Sequence, residues 1–140
     1  AIQRERSVAV CTPALRDTLG DPPSAAACAE STLIHIMGYE TFWQHWFQAA
    51  GIEAAPGWHG LSVDNSVVAL EIAAAGHGLA LVFETFARPY LDAGRLVMPL
   101  PHAFESEMAH YLVLPEREAP LPPEALIFRD WLLSEARRAD

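Results

Sequence analysis

The chain has 140 residues, of which 51% are hydrophobic and 19% charged, and its formal net charge is −9. This length suits one domain or two small lobes that share a core, and the acidic charge argues against wrapping a nucleic-acid backbone. No apolar run reaches the roughly 18 residues of a membrane-spanning helix, and the opening AIQRERS lacks the apolar segment of a signal peptide. We therefore expect a cytoplasmic globular domain.

The first third of the chain predicts two strands separated by short helices. The β-branched alternation of SVAVC predicts a strand over residues 7–11, and TPAL predicts a short helix with Pro13 in its first turn. Residues 20–30 read as a loop that enters a helical turn with Ser24 as N-cap. TLIHIM predicts a second strand over residues 32–37.

The middle third predicts helices that alternate with strands. FWQHWFQAA has its apolar residues at helical spacing, and Gly51 ends that helix. WHGLSV, residues 58–63, is a third strand. A helix of about ten residues follows, with Asn65 or Ser66 as N-cap and Gly76 as the left-handed residue after its end. LALVF, residues 79–83, is a continuous apolar run typical of a strand covered on both faces.

The last third predicts a helix over residues 85–92, strands over 95–100 and 109–115, and a final helix over 123–138. The final helix has early acids, late arginines and a predicted buried stripe formed by Leu126, Ile127, Trp131, Leu132 and Leu133. Because strands alternate with helices, the pattern predicts an α/β architecture with mostly parallel strands.

The sequence VDNS offers a candidate binding site. It places a strand end beside a helix start, where free backbone N–H groups and the helix dipole favour an anion. The alternative is that Asn65 or Ser66 only caps its own helix. GHG, residues 76–78, follows a helix and precedes a strand, so it is a helix end and not a phosphate loop.

Signs of catalysis or metal binding are weak. The motifs G-x-S-x-G, H-E-x-x-H and the P-loop are absent. His35, His45 and Glu40 could form a catalytic group, although structural histidines are the favoured reading. Cys11 and Cys28 are expected to be buried free thiols, without a metal site.

The four tryptophans are expected mainly in the core. Trp46 and Trp131 suit core faces of helices, whereas Trp43, at the start of its helix, could wall a ligand pocket.

Four segments together resemble a known family. SVAVCTPAL, TLIHIMGYETFWQHWFQAAGI, LSVDNSVVALEIAAAGHGLALVFETFARPYLDAGRLVMPLP and the closing ALIFRDWLLSEA follow in the order seen in LysR-type transcriptional regulators. The chain resembles their effector-binding domain, in the glycine-cleavage-activator-like branch. The strongest signature is the run over residues 66–99, joined to the final FRDWLL helix.

The resemblance implies a periplasmic-binding-protein-like α/β fold, in which two lobes are joined by two crossover strands. Here residues 1–11 would be the crossover from lobe I, 12–78 would be lobe II, and 79–140 would be the return crossover and the C-terminal part of lobe I. The first lobe would be incomplete in this chain. Residues 96–100 and 109–114 and the last helix would then expose apolar surface. We expect another copy, or the rest of a longer protein, to cover that surface.

The resemblance also implies that the chain senses a small effector in the cleft between the lobes, without catalysis or a cofactor. The matching positions are Thr12, Met37, Tyr39, Thr41 and Trp43. With the helix front at Asn65 and Ser66, they suit a small organic anion that has an apolar part, and a carboxylate is the expected class. A dianion is less favoured because no buried arginine is evident.

The family further implies a homo-oligomer, a dimer or tetramer, without membrane contact. DNA would be bound only through an N-terminal winged helix-turn-helix that lies outside this sequence. A solute-binding protein and a small α/β enzyme remain the alternatives.

Overall fold

A computed structural model describes residues 2–52, 60–116 and 121–139. These ranges hold five strands: β1 Gln3–Val10, β2 Leu33–Ile36, β3 Gly60–Val63, β4 Leu79–Phe83 and β5 Ala103–His110. They hold six helices: α1 Pro13–Arg16, α2 Ala25–Glu30, α3 Phe42–Ala49, α4 Ser66–Ala74, α5 Glu84–Asp92 and α6 Pro123–Ala139. None of these helices is both long and apolar enough to cross a lipid bilayer.

The strands form one mixed sheet in the order β3-β2-β4-β1-β5. The strand β2 is parallel to β3 and β4, as the alternating pattern predicts, but β1 is antiparallel to β4. The β1–β4 register pairs Ser7 with Phe83 and Val10 with Ala80. Consequently, the carboxyl ends of the three parallel strands share an edge with the start of β1, and the end of β1 lies at the opposite edge.

Local signals for helix ends are confirmed. The side chain of Ser24 accepts a hydrogen bond from the amide of Ala27, and that of Asn65 accepts one from Val68, so each caps its helix. Gly76 follows Ala75, the C-cap residue of α4, and has φ 85°, which is the left-handed conformation that favours glycine. The polar residue Asn65 and the glycine Gly76 therefore mark the two ends of α4 closely.

Two strand predictions are wrong. Residues 95–100 do not form a strand, because the amides of Arg95 and Leu96 both bond to the carbonyl oxygen of Tyr90 at the end of α5. Only Val97 bridges to the sheet, through two hydrogen bonds with Cys11 of 3.0 and 2.8 Å.

The strand expected at 109–115 instead occupies Ala103–His110. Residues 58 and 59 of the predicted third strand lie outside the described ranges.

The core consists of two clusters that alternate along the strands. Residues at alternating positions, such as Val8 and Val10, pack with α4 and with Ala87, while Ala9 and Cys11 pack with the tryptophans of α3. This period of two places the clusters on opposite faces of the sheet. Full burial of each large apolar side chain stabilises the fold by about 1.5–3 kcal/mol.

The chain divides into two compact units, residues 6–105 and residues 1–5 with 106–140. The buried hydrophobic core lies within the first unit. In the second unit the predicted buried stripe of α6 is wrong for Ile127 and Trp131, which are 70% and 54% exposed. An amphipathic pattern identifies which face of a helix is apolar, but it does not show whether this chain supplies a cover. The lobe boundaries at residues 11 and 78 remain a prediction.

Candidate functional site

The candidate site lies at the carboxyl edge of β2 and β3, where two connecting segments meet. The amide of Met37 donates a 2.9 Å hydrogen bond to the carbonyl oxygen of Val63, which ties the loop after β2 to the end of β3. This brings the predicted residues Met37, Tyr39 and Thr41 to the same edge as Asn65 and Ser66. Met37 is 60% exposed, so this edge also offers apolar surface.

In the first turn of α4, one set of groups caps the helix and another is available to a ligand. The Asn65 side chain accepts a 3.0 Å hydrogen bond from the amide of Val68, and its Nδ2 donates one of 2.8 Å to Asp64. The Asn65 side chain therefore caps its own helix, which is the alternative to a binding role given in the sequence analysis. The amides of Ser66 and Val67 come before the first intrahelical bonds, so helix geometry leaves them available to an acceptor.

An aromatic group forms the neighbouring wall of this edge. The ring of Tyr39 lies 4.7 Å from that of Phe42 and 5.8 Å from that of Phe83, measured between centroids. Phe86, at the start of α5, lies 6.2 Å from Phe83 and is half exposed. Sequence reasoning missed Phe83 and Phe86 as candidates. The signal was present in LVFETF, which places both rings where a parallel strand ends.

Two carboxylates lie at the same edge. Oε1 of Glu40 accepts a 2.8 Å hydrogen bond from the amide of Gly38, and hydrogen bonds from backbone amides hold the pKa of this carboxyl below its usual value. Asp64 is exposed beside the α4 N-terminus. The four arginines within residues 6–105 are exposed. The electrostatics therefore favour a monoanion over a dianion, because two carboxylates oppose the field of the helix.

The structure does not bring Thr12 into this group. Thr12 caps α1 by accepting a 3.2 Å hydrogen bond from Leu15 at the opposite edge of the sheet. Ser7 pairs with Phe83 at the site edge, and five more residues of extended chain lead to Thr12, which is about 17 Å. The antiparallel direction of β1 causes this separation.

Trp43 lies in the core rather than at the surface. Its side chain is 5% exposed, and Nε1 donates a 3.0 Å hydrogen bond to the carbonyl oxygen of Ile34. Its ring stacks on Phe47, with centroids 5.6 Å apart. Such burial leaves almost no area for a ligand, so Trp43 is a core residue and does not wall the candidate site.

The groups considered for catalysis have separate environments. His35 is buried in β2, and burial lowers its pKa, whereas His45 is exposed with its ring edge-on to Phe104. Cys11 and Cys28 are buried free thiols, as expected, and burial raises their pKa to about 12 and about 11. The part of the chain that the structure describes holds no cluster of three histidine, cysteine, aspartate or glutamate side chains suited to a metal ion.

Comparison with known proteins gives consistent results at the level of sequence. The family model for the LysR substrate binding domain matches residues 1–137. The HTH-type transcriptional regulator PerR of Escherichia coli is 30% identical over 133 residues, which cover 94% of this chain and 43% of that protein. The glycine cleavage system transcriptional activator of Escherichia coli is 32% identical over 129 residues, covering 91% of this chain and 41% of the activator. The chain therefore spans less than half the length of these curated relatives.

Solved structures agree on the fold. The effector domain of the transcriptional regulator AmpR of Pseudomonas aeruginosa superposes with a TM-score of 0.79 at 23% identity, covering 99% of this chain and 64% of that one. The AmpR effector-binding domain of Citrobacter freundii gives a TM-score of 0.76 at 21% identity, covering 98% and 66%. These similarities establish a periplasmic-binding-protein-like mixed α/β fold.

Proposed function

Because the chain belongs to the LysR substrate-binding domain family, we propose that it senses a small effector for a transcriptional regulator and acts by binding, without catalysis. The relatives PerR and the glycine cleavage activator are transcriptional regulators. We place the chain in the glycine-cleavage-activator-like branch, on the support of 32% identity to that activator. Its role in a whole regulator belongs to this proposal, because the chain spans only part of those proteins.

The proposed ligand is a small organic monoanion, in particular a carboxylate, with an apolar part. The observation that carries this assignment is the convergence of the α4 N-terminus with the loop after β2, tied by the hydrogen bond from Met37 to Val63. The amides of Ser66 and Val67 would receive the carboxylate, together with the hydroxyl groups of Ser66 and Thr41. Met37, Tyr39 and Phe86 would contact the apolar part.

The proposed contact set differs from the one that the sequence predicts. Asn65 acts as the cap of α4, and Trp43 is a buried core residue. Thr12 is omitted because it lies at the other edge of the sheet.

Signalling would follow from a shift between arrangements of lobes and subunits. A ligand that binds one arrangement more tightly increases its population. We propose that the chain works in a cytoplasmic homo-oligomer and that DNA is bound by a winged helix-turn-helix domain elsewhere in the regulator. Full-length LysG of Corynebacterium glutamicum, solved with bound effector Arg, has the same fold over 96% of this chain, with a TM-score of 0.63 at 18% identity.

A thermal-shift screen of amino acids, aromatic acids and other small carboxylates on the full-length protein tests the proposed site. We expect Ser66→Ala and Thr41→Ala each to reduce the stabilisation that a bound carboxylate gives. Ser62→Ala is the matched control, because Ser62 is exposed within β3 and precedes the site edge. Equal stabilisation in all three variants would remove the hydroxyl groups of Ser66 and Thr41 from the site.

A further inference from the structure

A second concave region lies beside β1, toward the end of the strand order that is farther from β3. Arg6 of β1 lines it together with Pro101, His102, Ala103 and Glu105, and its volume is about 340 Å³. All five residues belong to the compact unit 6–105. Because β1 is three positions from β3 in the sheet order, this cavity is about 14 Å across the sheet from the strand that leads to α4.

The charges beside this cavity leave a guanidinium with spare donors. Nη2 of Arg6 lies 2.9 Å from Oε2 of Glu84, and the other oxygen of Glu84 accepts a 2.6 Å hydrogen bond from Arg88. One carboxylate therefore serves two guanidinium groups. The Arg6 side chain is 56% exposed, and a guanidinium carries five N–H donors, so Arg6 can bind an additional anion.

His102 contributes a hydrogen-bond acceptor to the lining. Its ring stacks on Trp46 with centroids 4.3 Å apart, and it hydrogen-bonds to the backbone of Trp46. Nε2 is buried and has no hydrogen-bond partner within the described ranges. Because the other nitrogen makes the bond to the Trp46 backbone, Nε2 of the neutral ring carries the lone pair. A buried acceptor without a donor favours a ligand that supplies one.

We propose that this cavity is a second ligand site, which binds a small α-amino acid as its zwitterion. The carboxylate pairs with Arg6, and the ammonium group donates to Glu105 and to Nε2 of His102. Occupation of Arg6 weakens its pairing with Glu84, the first residue of α5, so the site is linked to the start of that helix.

Isothermal titration of the full-length protein with three ligands of equal carbon skeleton tests this site. Alanine carries both charges, lactate replaces the ammonium with a hydroxyl, and propionate has neither donor. Each titration is made in the wild-type and in the Ser66→Ala background. Ser66→Ala weakens the proposed effector site, so binding that it weakens equally belongs to that site and would overturn the proposal. We expect alanine to bind about tenfold more tightly than propionate. Equal or tighter binding of propionate would overturn the proposal, as would the absence of binding by all three ligands.

Four substitutions assign the interaction to named groups. Arg6→Gln should weaken alanine binding about tenfold, whereas Arg88→Gln should not, because both arginines pair with Glu84 but only Arg6 lines the cavity. Glu84→Gln should strengthen binding, since it releases Arg6. His102→Phe keeps an aromatic ring against Trp46 and should reduce the preference for alanine over propionate. Binding that is unchanged in Arg6→Gln would refute the site.

Discussion

Replacement of Asn65, the N-cap of α4, should lower the stability of the protein without preventing a ligand from binding at the N-terminus of that helix. Asn65→Ala removes the 3.0 Å hydrogen bond to the amide of Val68 and the 2.8 Å hydrogen bond to Asp64. Asp64 and Asn65 are both exposed, and the loss of such an exposed N-cap lowers the free energy of unfolding by about 1 kcal/mol. For a chain of this length that cost lowers the melting temperature by about 3–4 °C. The amides of Ser66 and Val67 remain in place, so we expect a carboxylate still to bind.

Thermal unfolding and ligand titration of three variants test this separation. Asn65→Asp should restore the stability, because aspartate caps helices well, but it should weaken anion binding by placing a third carboxylate at the edge beside Glu40 and Asp64. Ser66→Ala should show the opposite result, with stability retained and binding reduced. The reasoning fails if Asn65→Ala leaves the melting temperature unchanged. It also fails if Asn65→Ala abolishes binding while the fold stays intact.

Three further expectations concern charge, backbone and thiols. Asp64→Asn removes a carboxylate near the α4 N-terminus, so anion affinity should rise about threefold at low salt and less at high salt, measured by calorimetry. Gly78→Ala should lower the free energy of unfolding, measured in urea, by more than about 2 kcal/mol, because Gly78 has φ 156° and a new Cβ would lie 2.4 Å from a backbone oxygen. Gly94→Ala is the comparison. Gly94 has φ 67° and open space around it, so this change should cost only about 1–2 kcal/mol. Burial raises the pKa of Cys11 to about 12 and of Cys28 to about 11, so both remain protonated thiols at pH 8. A disulfide reagent should therefore modify them only after unfolding. Rapid labelling of the native protein would contradict this expectation.

The sequence predicts well those features that depend on local chemistry. Ser24 and Asn65 fix helix starts because their side chains bond to nearby amides, and Gly76 fixes a helix end because it adopts a positive φ. The continuous apolar run of β4 is likewise confirmed as a strand buried along its whole length. Each of these signals acts within four or five residues.

Features that depend on distant parts of the chain are predicted less well. The position of Thr12 follows from the antiparallel direction of β1, which a strand pattern alone does not reveal. The strand β5 contains AFESEMAH, whose acidic residues hide its pattern, and residues 95–100 look like a strand although α5 uses two of their amides. The exposure of Trp131 depends on which surface covers α6. None of these outcomes follows from the residues next to them.

Exposure of the apolar residues of α6 bears on the state of the isolated chain. Ile127, Phe128 and Trp131 are each more than half exposed, as expected for the last helix. The expectation of exposed apolar surface is wrong at residues 96–100, because Leu96 is buried in the core. Size-exclusion chromatography distinguishes the outcomes. We expect the 140-residue chain to self-associate, and a well-folded, non-exchanging monomer would contradict that expectation.

Hydrogen–deuterium exchange of the full-length protein tests the central claim most directly. The ligand is the carboxylate that gives the largest thermal shift, and the peptides compared cover residues 64–68 and residues 123–131. We predict that the ligand slows exchange at the amides of Ser66 and Val67 and leaves the peptide from α6 unchanged. Protection confined to other segments, with the first turn of α4 exchanging as fast as in the free protein, would contradict binding at this helix front.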